Sequence, residues 1–340
     1  MKAMILHQFA SLEQHPEPLK LVEMPEPLPG TGEILLRVTV CGVCHTELDE
    51  IEGRTPPPRL PVIPGHQVIG RIEKCGPGAN RFSIGDRVGV GWIFSACGRC
   101  EHCRRGEENL CPEFAATGRD ANGGYAEFMV VPEAFAHTIP DIFSDIEAAP
   151  LLCAGAIGYR SLRLAGPFNT LGLTGFGASG HLVLKMAMHQ NPRAQVYVFA
   201  RSKSEQTFAL ELGATWAGDT EDNPGIGLDA IIDTTPVWKP MVSALAVLRP
   251  GGRLVVNAIR KEESDKAELL KLDYPKHLWM EKEVRSVANV TRQDIAEFLS
   301  LAAKAPIRPE VKEYRLEDAN QALADLKARR IRGAKVLIVG

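Results

Sequence analysis

The chain carries two textures of hydrophobic patterning. Over the first 150 residues, short apolar-rich runs at 33–40, 70–74, 87–90 and 125–131 are broken by Gly and Pro. That spacing predicts strands of a β-rich, barrel-like unit rather than βα repeats. After Pro150, compact apolar runs at 171–176, 196–199, 228–232 and 253–258 alternate with stretches of helical period at 180–190, 204–212 and 240–248. Strands alternating with helices predict a parallel sheet wound by crossovers. From about residue 291 the pattern reads helix at 294–303, a short strand, helix at 316–328 and a closing strand at 335–339. The expected class is α/β with a separate β-rich part.

Length and charge narrow the function. At 340 residues and 45% hydrophobic content the chain has material for two domains with sizeable cores. Lys and Arg number 39 against 42 Asp and Glu, a net charge of -3, so no basic field exists to hold a phosphate backbone and nucleic acid is not an expected partner. Small molecules are. No uncharged apolar run approaches 18 residues, and the apolar stretch at 1–7 is too short for a signal peptide. The expectation is a soluble cytoplasmic protein with no membrane partner.

Eight cysteines add chemistry: Cys41, Cys44, Cys75, Cys97, Cys100, Cys103, Cys111 and Cys153. The spacing Cys97-x2-Cys100-x2-Cys103-x7-Cys111 lets one loop fold four thiols around a tetrahedral ion, and in an unexported chain it reads as a metal site rather than a disulfide framework. Thiolate-only coordination selects zinc or an iron-sulfur centre, and zinc is the expectation. With four protein ligands such a site has no position for substrate. Its role is to staple a loop containing Gly98, Arg99, Glu101, His102, Arg104 and Arg105, which has too few apolar residues to pack alone. Cys44, His66 and Cys153 are scattered, and each taken alone reads as an ordinary core or surface residue.

Gly175-x-Gly177-x-x-Gly180 follows a strand and precedes a helical pattern, the context of a dinucleotide phosphate turn that also includes Ala178 and Ser179.

Taken together, several motifs resemble the zinc-dependent alcohol dehydrogenases of the medium-chain dehydrogenase/reductase family. They are Cys41-Gly-Val-Cys44-His45-Thr46, Pro64-Gly65-His66, Gly85-Asp86-Arg87-Val88-Gly89, the four-cysteine cluster, Gly123-Gly124-Tyr125-Ala126-Glu127, Leu152-Cys153-Ala154-Gly155 and the glycine motif, and they span essentially the whole chain. The resemblance implies a GroES-like β-rich catalytic domain over 1–151 and 289–340, and a Rossmann doubly wound domain over 152–288. It implies that Cys44, His66 and Cys153 bind a catalytic zinc in the interdomain cleft, so that with Cys97, Cys100, Cys103 and Cys111 each chain holds two zinc ions. Two thiolates and a neutral imidazole leave that zinc uncharged and one corner open, as a Lewis acid toward an alcohol requires.

By the same resemblance Thr46 bonds the substrate oxygen and passes its proton outward, and Asp49 occupies the next relay position, often histidine in relatives. Glu47 stands where an aspartate usually supports the zinc histidine, and Gln67 where a glutamate often follows it; both departures retune the site without removing it. His45 matches a pyrophosphate contact. Trp92 matches an aromatic wall that favours small or unbranched primary alcohols and aldehydes, while Arg54 and Thr55 replace a bulky aromatic and imply a wider or more polar outer pocket. A homo-oligomer, possibly a tetramer, is implied.

Cofactor choice is written after the second strand of the wound part. The family's acidic position falls on Ala200, and Arg201, Ser202 and Lys203 follow it. Arg201 can grip a 2′-phosphate bidentately, so NADP is expected over NAD; Glu205 as a local counter-charge is the alternative reading. The expected activity is hydride transfer between a primary alcohol or aldehyde and NAD(P). A catalytic-zinc-free NADPH quinone reductase-like protein and a non-enzymatic nucleotide sensor are the competing readings.

Overall fold

The strand Glu33–Val43 organises the β-rich part. It pairs antiparallel with Val68–Cys75, Phe128–Pro132 and Ala334–Ile338, and the sheet extends through Arg87–Val90 to Ala136–Thr138. Ile34, Leu35, Leu36, Val38, Val68, Ile69, Val88 and Val90 fill its core. The computed structural model describes residues 1–305, 307–328 and 333–340. It divides into two units, Met1–Ala156 with Val290–Gly340, and Ile157–Asn289.

Three features of the first unit position its chemistry. Strand Glu33–Val43 delivers Cys44 to the N-cap of the helix His45–Ile51. Gly65, beside His66, has φ +100°, and a Cβ there would strike the Tyr125 ring and the Cys41 sulfur, so only glycine fits. Helix Asp145–Pro150 runs into a π-helical turn, Leu151–Gly155, that carries Cys153. Pro150 has no N–H to give to the carbonyl of Ile146, and a broken ladder of this kind widens the turn.

In the second unit the described strands form a six-stranded parallel sheet. Their order is Trp216–Gly218, Gln195–Phe199, Thr170–Thr174, Leu228–Asp233, Leu248–Val256 and Glu283–Ser286. The order reverses between Thr170–Thr174 and Leu228–Asp233, which creates a crevice at their carboxyl ends. Here the sequence expectation needs adjustment. The strand expected at 253–258 starts at Leu248, which pairs with Leu228 ahead of an irregularity over 249–252, and the regular register resumes at Arg253 opposite Ala230. The strand expected from Tyr125 starts at Phe128, since Gly123 and Tyr125 turn inward to bond the carbonyls of Ile63 and Pro64. Among the described residues, no helix is long and apolar enough to cross a membrane.

Candidate active site and metal centres

Cys44, His66 and Cys153 come from three separate segments of the first unit, and their donor atoms lie within 4.8 Å of one another. The two sulfurs are 3.9 Å apart. That is far too long for a disulfide, at about 2.05 Å, and close to the roughly 3.8 Å expected of two thiolates on a tetrahedral zinc with Zn–S near 2.3 Å. Glu47, wholly buried, ties two of the three ligands together: its Oε2 accepts the Cys44 N–H at 2.8 Å and its Oε1 faces Nδ1 of His66. A carboxylate behind Nδ1 fixes the imidazole tautomer, which leaves Nε2 buried with no hydrogen bond of normal geometry among the described residues. The donor set fits zinc.

Electrostatics within the group run the same way. The bond from Cys153 and the neighbouring imidazole hold the Cys44 thiol well below its usual range, whereas the bond to Cys44 and burial push Cys153 up. Burial opposes charge on His66, but Glu47 and Cys44 outweigh it and move the imidazole up. Such a cluster already favours one thiolate.

The second centre is local. Cys97, Cys100, Cys103 and Cys111 also bring their sulfurs within 4.8 Å, with Cys97 and Cys103 3.9 Å apart. Backbone N–H groups of Cys100, Cys103 and Glu113 donate to the sulfurs of Cys97, Cys100 and Cys111 at 3.3–3.5 Å. Those donors favour thiolate, and the backbone bonds to Cys97 hold its thiol down at about 6.

The glycine turn assigns a separate job to each glycine. Gly175 has φ +79° and makes the tight turn. Gly177, the N-cap of helix Ala178–Gln190, has open space where a Cβ would stand. A Cβ on Gly180 would sit 2.9 Å from the Gly175 carbonyl oxygen, so the third glycine lets the helix pack onto the turn. Ser179 lies in the helix's first turn; the Ala178 side chain is outside the described residues. At the end of the next strand Arg201, Ser202 and Lys203 are exposed. Ser202 and Ser204 share a 2.6 Å hydroxyl bond, and Lys203 Nζ donates to Gln206.

Residues 30–141 match the alcohol dehydrogenase GroES-like domain and residues 178–304 the zinc-binding dehydrogenase domain. A probable alcohol dehydrogenase, AdhA, of Mycobacterium tuberculosis is 44% identical over 329 residues, covering 95% of this chain and 93% of that one. This chain belongs to the zinc-type medium-chain alcohol dehydrogenases. The crystal structure of AibC superposes with a TM-score of 0.89 at 28% identity, over 100% of this chain and 96% of the other. A cobalt- and zinc-bound thermostable alcohol dehydrogenase from Pyrobaculum aerophilum gives 0.87 at 26%, over 99% of each.

The remaining expected residues of this dehydrogenase are distributed around Cys44. Thr46 Oγ1 lies 3.6 Å from the Cys44 sulfur, and His45 is exposed at the helix start. Asp49 pairs with Arg54 at 2.5 Å, so the side chain expected to widen the outer pocket is engaged with the acid expected in the relay. Thr55 Oγ1 is buried without a hydrogen-bond partner among the described residues. Gln67 packs across Gly42, whose N–H bonds its carbonyl at 2.9 Å. Trp92 stacks near Phe114 at 5.3 Å and donates its indole N–H to Glu50 at 3.4 Å. Sequence reading passed over Glu50. It is buried, its Oε2 has no hydrogen-bond partner among the described residues, and burial together with Glu47 pushes its carboxyl up. Its position four residues after Thr46, on the same helix face, was the available signal.

Proposed function

We propose that this alcohol dehydrogenase transfers hydride between a primary alcohol, or its aldehyde, and a nicotinamide nucleotide, with NADP preferred over NAD and two zinc ions per chain. The convergence of Cys44, His66 and Cys153, with His66 oriented by Glu47, carries the reading. Zinc held there would act as a Lewis acid that lowers the pKa of an alcohol hydroxyl. The protein's own groups do the rest. Cys44, His66 and Cys153 hold the ion, Glu47 keeps the His66 proton on Nδ1, and the Thr46 hydroxyl beside Cys44 begins the proton path. Asp49, paired with Arg54, is its candidate continuation. Trp92 walls the substrate space, and the Gly175–Gly180 turn receives the pyrophosphate. Cys97, Cys100, Cys103 and Cys111 hold the second zinc as a staple.

Preference for NADP rests on Arg201, which is exposed and makes no ion pair among the described residues; Glu205 pairs with neither it nor Lys203. Support for a homo-oligomer comes from the sheet edge Glu283–Ser286, where all four residues are exposed beside Trp279 and Met280, an edge that pairing with a second copy would cover. Eight free cysteines suit the reducing cytoplasm. The test is metal content with kcat/KM for a series of alcohols and aldehydes, each with NADP(H) and NAD(H). We expect two zinc ions, activity on small primary substrates, and an NADP preference that Arg201→Asp removes. A preference for NAD that ignores Arg201→Asp contradicts the phosphate grip.

A further inference from the structure

The crevice at the sheet's switch point is closed by a buried polar knot. Asp233 ends its strand directly opposite Thr174 and is wholly buried. Its Oδ1 accepts Thr174 Oγ1 at 2.5 Å, Thr235 Oγ1 at 2.7 Å and the Thr235 N–H at 3.1 Å. Its Oδ2 accepts Lys261 Nζ at 2.5 Å. Lys261 is itself only 9% exposed, and its other two ammonium protons go to the carbonyls of Thr235 at 2.8 Å and Val237 at 3.0 Å. Every donor of this lysine is thus used within one loop. An ion pair so fully bonded holds its geometry, whereas either partner alone would be a buried, uncompensated charge.

What the knot holds is the phosphate turn's back wall. The Thr234 N–H and hydroxyl both donate to the Thr174 carbonyl at 3.0 Å. A Cβ on Gly175 would meet Thr234 Oγ1 at 2.8 Å and Thr235 Cγ2 at 3.0 Å, so these two threonines press directly on the first glycine of the motif. Lys261 arrives from the segment after the next strand, which further bonds tie to the same loop. The Asn257 and Glu262 N–H groups donate to Asp233 and Pro236 carbonyls at 2.7 Å, and the Trp238 indole donates to Glu262 at 2.8 Å.

We propose that Lys261, through Asp233 and Thr235, is a positioning residue that seats the Gly175–Gly180 turn for the dinucleotide pyrophosphate. The proposal rests on the dinucleotide reading above and extends it to a side chain whose ammonium bonds, to Asp233, Thr235 and Val237, fall outside the turn. With Lys261 gone, the Thr235 and Val237 carbonyls lose their donor, Asp233 loses its cation, and the wall behind Gly175 loosens.

The experiment titrates zinc-loaded enzyme with NADPH and NADH by fluorescence. Lys261→Met should raise both dissociation constants about tenfold or more, a loss on the scale of one strong charge-assisted bond, with zinc content unchanged. Lys261→Arg, which keeps the cation, should recover most of the affinity. Stability alone is separated by two further variants. Leu248→Ala, in the core at the opposite end of the sheet, should lower Tm with dissociation constants within twofold of wild type. Asp233→Asn with Lys261→Met removes both charges and should regain Tm but not affinity. Affinity that returns together with Tm in that double variant, or that is unchanged in Lys261→Met, overturns the proposal. Wild-type enzyme that binds neither nucleotide would instead overturn the dinucleotide reading itself.

Discussion

The two thiol-bearing centres of the first unit solve the same coordination problem by opposite routes. Cys97, Cys100, Cys103 and Cys111 lie within fifteen residues, half exposed for the most part, with backbone N–H groups bonding their sulfurs. The site is made by a short piece of chain, and the chain piece is held by the site. Cys44, His66 and Cys153 are spread over 109 residues, and long-range packing brings them together. Their geometry is set by a strand end, a positive φ at Gly65 that only glycine permits and a π-helical turn after Pro150. A buried carboxylate stands behind the imidazole; among the described residues the four-thiol loop has backbone N–H donors instead. A local cluster therefore serves its loop, while an assembled one has its donors fixed by the fold and can leave a coordination position for chemistry.

The sharpest way to break this contrast is to remove one ligand from each centre. Cys44→Ser should reduce alcohol turnover by about a thousandfold or more, because the Lewis acid contributes several kcal/mol to the barrier, with the loop centre intact. Steady-state rates and metal analysis on the same sample check it. Next in size is Glu47→Gln, which keeps the bond to the Cys44 N–H but weakens the acceptor at Nδ1. Zinc affinity at the assembled site should fall about 10–100-fold, measured by competition with a chelator. The loop site should be untouched. Cys103→Ser is expected to lower turnover by less than about tenfold, while limited proteolysis finds new cleavage between residues 97 and 111.

An effect on stability rather than turnover belongs to neither centre and tells metal loss from simple acid unfolding. His137 is buried on the strand Ala136–Thr138, and burial together with Arg81 and Arg292 pushes its imidazole down to about 3. Between there and the ordinary value near 6.5, the unfolded chain binds a proton that the folded chain refuses. Its stabilising contribution is complete above about pH 6.5 and shrinks as the pH falls, by about 3 kcal/mol between pH 7 and pH 4. His137→Leu should flatten that acid limb of thermal stability without altering zinc content at pH 7.

The same contrast explains what the sequence disclosed. The four-cysteine loop and the Gly175–Gly180 turn are local motifs, so spacing and flanking pattern were enough. Cys44, His66 and Cys153 came only from the family resemblance, since no periodicity links residues 109 apart. Glu50 and Lys261 were missed because their partners, Trp92 and Asp233, are brought in by tertiary packing. The edge strand Glu283–Ser286 was missed because it is exposed throughout and shows no apolar alternation. Asp49 was legible as a position but not in its pairing with Arg54, which depends on how helix His45–Ile51 ends.

Zinc stoichiometry per chain, measured with turnover on wild type, Cys44→Ser and Cys103→Ser, addresses the division of labour most directly. The expected values are two, one and one, with turnover lost only in Cys44→Ser. A wild-type enzyme holding a single zinc that survives Cys44→Ser, or a Cys44→Ser variant that still oxidises alcohols at the wild-type rate, would contradict it.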